Sequence, residues 1–292
     1  MSLKIDNVVL PSPKQWEAII RGMRNPKNSW DRSDSYATHI ADDETMETAD
    51  YEFFIGDKDL KLMKNLASGG PVHAKYRRMI PVYLDITAPL YWWKEFDTYK
   101  IGTVANSCST MHKIHEKEFT LEDFSHEHLI SDWVGDNNDA MFYWRQKDTE
   151  MDLFASPTDG LKVIIGLLNS NREAYLKTND KKYWYQMIQL LPTSYNQKRT
   201  VMLNYEVLVG IYKWRQNHKL DEWHVLCDWI ETLPYSELIT KGCDLGHEFM
   251  EKHIPVPTRN STGPNGIVRT QQEIERDAQR ANEVFSGFID RW

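Results

Sequence analysis

A chain of 292 residues, 41% apolar and 27% charged, is long enough to bury a core without staples, and this composition excludes intrinsic disorder and low-complexity or collagen-like classes. The net charge of −8, from 35 Lys+Arg against 43 Asp+Glu, argues against a nucleic-acid polymer as partner, because such partners need a basic surplus to displace counterions from phosphate. The longest apolar runs, such as Val163–Leu168, are far too short to span a bilayer, so no membrane is expected, and three widely spaced cysteines (Cys108, Cys227, Cys243) read as a reducing, cytoplasmic setting.

The first helix is announced by Ser12 as N-cap, Pro13 in the first helical position and Gln15 completing a capping box. Trp16, Ile19, Ile20 and Met23 then form one apolar stripe. The polar stretch from Lys27 to Thr48 reads as a loop. A second helix starts near Asp57, turns Leu60, Met63 and Leu66 inward and stops at Gly69-Gly70. Ile80, Val82, Leu84 and Ile86 alternate with the period of a strand, and Pro81 places that strand at an edge or marks a late start.

Leu90 to Lys100 reads as helical, Thr120 opens a capped segment through Phe124 and Leu129, and Leu161, Ile164, Ile165 and Leu168 give another helical stripe. After Leu191-Pro192, a long helix is predicted from about Thr200 to Asn217, with Asn204, Leu208, Ile211 and Arg215 on one face, and a further one from about Leu220 to Thr232. Residues 254–266 form a linker, and a closing helix runs from Thr270 to Ser286. Periodicity therefore predicts an α+β fold with helices dominant, residues 1–253 forming one domain and residues 254–292 a linker and C-terminal helix.

The chain holds 11 Trp, 14 Tyr and 10 Phe, which build a core or line a pocket or subunit interface. His112 and His115, His126 and His128, and the His224/Cys227 pair match no metal-binding pattern, and no metal is assigned. Gly-rich phosphate loops and a Gly-x-Ser-x-Gly elbow are absent.

The stretch from Ala88-Pro89 through Tyr91-Trp-Trp-Lys-Glu95 and Thr98-Tyr-Lys100 to Asn106-Ser-Cys-Ser109 resembles the signature region of flavin-dependent thymidylate synthases. Leu191-Pro192, Asn204, Leu208, Arg215 and Trp223 resemble that family's second block. The two stretches, residues 70–113 and 187–230, cover under a third of the chain. Lys94-Glu95 stands where the family has Arg-Gln, and of its Arg-His-Arg only the charge of Lys100 is kept. Met111-His112 replaces Arg-Tyr, Ile188 replaces an arginine, and Glu206 reverses the charge of another.

The resemblance implies a mixed sheet packed with a helix-rich part, in a homotetramer with sites between subunits. It also implies reductive methylation of dUMP, or a related pyrimidine nucleotide, with carbon from methylenetetrahydrofolate and hydride from FAD reduced by NADPH. By the same resemblance Ser109 and Arg215 are catalytic, and His73, Lys100, Asn106 and Asn204 hold the cofactor. Ser109, Lys113 and Arg215 bind the substrate, while Tyr91, Trp92 and Trp93 wall the flavin. The missing arginines support a second reading, an inactive or repurposed scaffold that binds a nucleotide or protein partner. A third is a structural or assembly protein.

Overall fold

Ser12 opens the first helix by the reciprocal bonds its sequence predicts: its hydroxyl accepts the Gln15 N–H at 3.4 Å, and the Gln15 side chain accepts the Ser12 N–H at 2.7 Å. In the computed structural model, which describes residues 3–40, 50–131, 142–145 and 152–241, this helix α1 (Pro13–Arg24) buries Trp16, Ile19, Ile20 and Met23. Helix α2 (Asp57–Ser68) stops at Gly69 and buries Met63, with Leu60 and Leu66 half-buried.

The strands are β1 (Lys4–Val9), β2 (Tyr36–Ile40), β3 (Asp50–Phe54), β4 (Pro81–Pro89), β5 (Val104–Ser107), β6 (Phe142–Arg145), β7 (Asp152–Ala155) and β8 (Asn196–Asn204). Four of them make the principal sheet in the order β1-β4-β8-β5, and every pairing in the described residues is antiparallel, including those of the sheet expected to be mixed. Pro81 does mark a late start, yet β4 is central. A proline is tolerated there because it is the first strand residue. Val82, Leu84 and Ile86 of β4 and Val201 and Leu203 of β8 point to one face and are buried. That alternation leaves Tyr83, Asp85 and Thr200 on the other face.

The remaining helices are α3 (Leu90–Phe96), α4 (Pro157–Thr178), α5 (Lys181–Leu190), α6 (Tyr205–Arg215), α7 (Asp221–Glu231) and the single turn α8 (Glu237–Thr240). Trp92, Trp93, Phe96, Leu208, Ile211 and Trp223 join the buried sheet face in the main core. A second cluster gathers Phe119 and Phe124 with Leu161, Leu168 and Met187 of α4 and α5. No helix of the described residues is long and apolar enough to cross a membrane.

Three expectations need correction. The helix predicted from Thr200 starts only at Tyr205, because Thr200–Leu203 alternate exposed and buried and pair in register with β4 up to Asn204 opposite Pro81. Part of the polar stretch read as a loop is strand β2, paired with β3. The helix after Ala88-Pro89 is also shorter, ending at Phe96 with Asp97 as its C-cap. The linker and C-terminal helix predicted for 254–292 lie outside the described residues.

Candidate functional site

Three consecutive devices fix the loop 97–103 between α3 and β5. At its start, the Asp97 carboxylate accepts from Arg199 Nη1 at 2.8 Å, and the Arg199 guanidinium lies 4.2 Å from the Trp93 ring centroid. In the middle, the Tyr99 hydroxyl accepts from Arg215 Nε at 3.0 Å. Near its end, Gly102 sits at φ +80°, and a Cβ there would lie 3.1 Å from both Asn204 Nδ2 and Val207 Cγ2. Glycine suits this position twice over, by its backbone conformation and by its lack of a side chain.

Asn204 is the last residue of β8 and the N-cap of α6. Its Oδ1 accepts the Val207 N–H at 3.1 Å, satisfying one of the donors a helix start leaves open. The side-chain NH2 faces the Gly102 backbone and keeps its donor capacity. Lys100, two residues before Gly102, is exposed and has no ion-pair partner among the described residues.

Arg215, in the last turn of α6, is held from several sides. Its Nη1 donates to Glu95 Oε2 at 2.8 Å, and its guanidinium lies 4.6 Å from the Trp223 ring centroid. The same Glu95 oxygen accepts from Trp223 Nε1 at 3.1 Å and lies 3.3 Å from His218 Nε2. The His218 Nδ1 accepts the Leu220 N–H at 3.1 Å. Three helices, α3, α6 and α7, thus meet on one carboxylate.

Asn106 is exposed on β5 opposite Thr200, in the cross-strand row that also holds Asp85. Asp85 accepts from Lys198, Thr200 and Asn7, and these bonds hold its carboxyl well below the usual range. Ser109 follows β5 in a turn, its hydroxyl accepting the His112 N–H at 2.9 Å. Lys113 pairs with Glu116. Trp184 Nε1 donates to the Met111 carbonyl at 2.8 Å, which ties this turn to α5. His73 lies against Gly69 at the end of α2 and makes no hydrogen bond or ion pair with the other candidates.

The fold therefore gathers Lys100, Asn204 and Arg215 around one loop. Asn106 is four β8 residues from Asn204, roughly 13 Å along the strand, and Ser109 and Lys113 lie beyond it. Trp92 and Trp93 are fully buried and pack on Phe96 and, for Trp92, on Trp223, so they build the core and offer no wall to a ligand. Tyr91 is half-buried. Its hydroxyl donates to the buried Glu222, and burial together with that bond raises its pKa.

Glu206, where the resembled family carries an arginine, lies 3.8 Å from the buried Arg77 of the 3-10 turn Lys75–Met79. Burial raises the pKa of Glu206, opposed by Arg77 and Arg78. Among the described residues no group of His, Cys, Asp and Glu is arranged to hold a metal ion.

Comparison with protein-family models and with curated proteins finds no match. Solved structures do match. A thymidylate synthase X from Helicobacter pylori with FAD and dUMP superposes at a TM-score of 0.51 and 14% identity, over 83% of this chain and 99% of that one. A second structure of the flavin-dependent enzyme from the same organism, complexed with FAD and dUMP, gives 0.50 and 15%, over 82% and 97%. A UMP/dUMP methylase from Streptomyces cacaoi bound with 5-Br dUMP gives 0.47 and 11%, over 86% and 95%. The chain has the α+β fold of the flavin-dependent thymidylate synthases.

Proposed function

We propose that this chain is a flavin-dependent enzyme that methylates dUMP or a related pyrimidine nucleotide, with methylenetetrahydrofolate as carbon donor and NADPH as reductant. The observation that carries the reading is Gly102 packed against Asn204 at the start of α6, with exposed Lys100 two residues earlier on the same loop, within a fold shared with proteins solved with FAD and dUMP. The donor set fits a flavin. Asn204 offers an amide N–H2 to a ring edge, Lys100 a positive charge, and Gly102 a backbone without a side chain in the way. Reduced FAD, when bound, supplies the hydride.

The chain's own residues then bind and orient. Lys100, Asn106 and Asn204, with His73, hold the cofactor. Ser109 and Lys113 face the nucleotide, for which Lys113 must exchange its exposed Glu116 partner. A ligand seated between Asn204 and Asn106 crosses Tyr83, Met202 and Val104 on the sheet face that the helices leave uncovered, with the polar row Asp85–Thr200–Asn106 at one end. A homo-oligomer, a tetramer by resemblance, is consistent with exposed Tyr83 and Val104 on that face. A cytoplasmic location accords with Cys108, which is in no disulfide among the described residues.

The pairing of Arg215 with Glu95 and the reversed charge at Glu206 favour a second reading, a scaffold of this fold that has lost catalysis and binds a nucleotide or protein partner. The visible absorption spectrum of concentrated protein, with and without added FAD and dUMP, separates the two. A bound-flavin spectrum perturbed by dUMP, followed by dTMP formation, supports the enzyme. No flavin binding under any condition refutes it and leaves the scaffold.

A further inference from the structure

Arg215 is the residue that the resemblance would place on an anionic substrate, yet its surroundings assign it other work. Its guanidinium is matched by a carboxylate from the same chain, sits on an aromatic face and donates to a phenol. Such a bonded, stacked guanidinium is an oriented structural part rather than a cation waiting for a phosphate.

Resting on the proposed function, we infer that Arg215 is a positioning residue for Lys100. It fixes the middle of the loop 97–103 through Tyr99, Glu95 cancels its charge, and Lys100 is left as the cation the loop presents. Three features support this. The two other anchors of the loop, Asp97–Arg199 and Gly102 against Asn204, flank Tyr99 on both sides, so the Tyr99 contact completes a three-point attachment. Lys100 and Ile101, between the second and third anchors, are exposed, Ile101 at 69%. Glu95 Oε2 accepts from Arg215 of α6 and Trp223 of α7 and lies 3.3 Å from His218 Nε2 in the turn between them, which ties the anchor to the helix framework. A cation on a fixed loop loses less conformational freedom on binding than one on a mobile loop.

The test is limited trypsin digestion of the full chain, reading cleavage after Lys100 against cleavage after Lys177 and Lys182. Arg215→Gln and Glu95→Gln, each shown to be folded by circular dichroism, are expected to open the loop and speed cleavage after Lys100 about tenfold or more, the factor that losing one charge-assisted hydrogen bond gives to local opening. The two control sites, on α4 and α5, should keep their rates. Tyr99→Phe, which keeps the ring packing, should give a smaller selective increase, and Arg215→Lys only partial rescue.

Equal acceleration at all sites, or none at Lys100, overturns the inference. Calorimetric titration with dUMP adds a second arm that needs no flavin. Tighter dUMP binding by Glu95→Gln overturns the inference as well, because it shows Arg215 to be an anion ligand masked by Glu95. A parent protein that binds neither FAD nor dUMP sinks the proposed function, whereas the Lys100 cleavage pattern still decides how Arg215 acts.

Discussion

Arg24 and Asp59 meet at 2.5 Å with both side chains out of water, and they tie the end of α1 to the start of α2. Asp59 also accepts from the hydroxyls of Ser33 and Ser35 and from the backbone N–H groups of Asp34 and Ser35. Arg24 completes its fork on the Ser29 and Arg32 carbonyls. Residues 29–35 are thereby wrapped around one buried ion pair. Burial alone would raise the Asp59 pKa, but the bonds from Ser33, Ser35 and Arg24 outweigh it and hold the carboxyl below its ordinary value of 3.8.

The sign of its pH effect follows. A lowered folded pKa contributes stability that is present above pH 3.8 and is lost as pH falls through the folded value. Urea unfolding of the parent protein should show this loss in the acid range, and Asp59→Asn should flatten it. Arg24→Ala, which leaves the carboxylate buried and unpaired, should lower stability at neutral pH by about 3–5 kcal/mol. An Arg24→Ala protein as stable as the parent would contradict the burial described above.

Asn204 serves the helix with one atom and the site with another, so two substitutions separate the roles. Asn204→Ala removes the cap of α6 and should cost about 0.5–2 kcal/mol in urea unfolding. Asn204→Asp keeps an oxygen acceptor for the Val207 N–H and adds negative charge at the helix start, so stability should be held. It removes the Nδ2 donor, however. FAD binding followed by its visible spectrum should weaken in the Asp variant despite intact folding.

Trp92 and Trp93 are both fully buried, but their polar atoms differ. Trp93 Nε1 donates to the Gln197 carbonyl at 2.9 Å, while Trp92 Nε1 has no hydrogen-bond partner among the described residues. Trp92→Phe should therefore cost mainly lost packing. Trp93→Phe should cost about 1 kcal/mol more, from the lost Nε1 hydrogen bond and the weakened stacking with Arg199. The two urea midpoints, compared directly, check this ordering.

Tyr76 predicts the alkaline limit. It is buried, its hydroxyl donates to the Met63 carbonyl at 2.9 Å, and burial, partly opposed by Arg77, pushes its pKa up to about 12. A raised folded pKa gives stability that is complete below the unfolded value of 10.0 and is lost as pH rises toward 12. Absorbance titration at alkaline pH should show fewer tyrosines ionising near pH 10 than in the unfolded chain, because Tyr91, Tyr195 and Tyr205 are raised by burial as well, and Tyr76→Phe should shrink that deficit by one.

What was legible in the sequence is the local chemistry. The Ser12 capping box, the Gly69 stop, the alternation through Ile86 and the α7 helix each depend on neighbours within a few residues, and each is present. Asn204 shows where such reading fails. Asn204 and Arg215 share a helical spacing, but Thr200–Leu203 are claimed by the β4 ladder, whose long-range hydrogen bonds outweigh local helix propensity.

The same limit applies to the candidate site. The family resemblance singled out Lys100, Asn204 and Arg215 among its candidates, and the fold brings these three around one loop. Sequence does not reveal that Glu95 answers Arg215, because ion pairing between residues 120 positions apart is settled by how α3, α6 and α7 pack. Nor does it reveal that Trp92 and Trp93 face the core. Both indoles lie on a short helix whose inward side is chosen by the sheet it covers. Caps, turns and periods are short-range and written in the chain; which charges remain free for a ligand is decided only when distant elements meet.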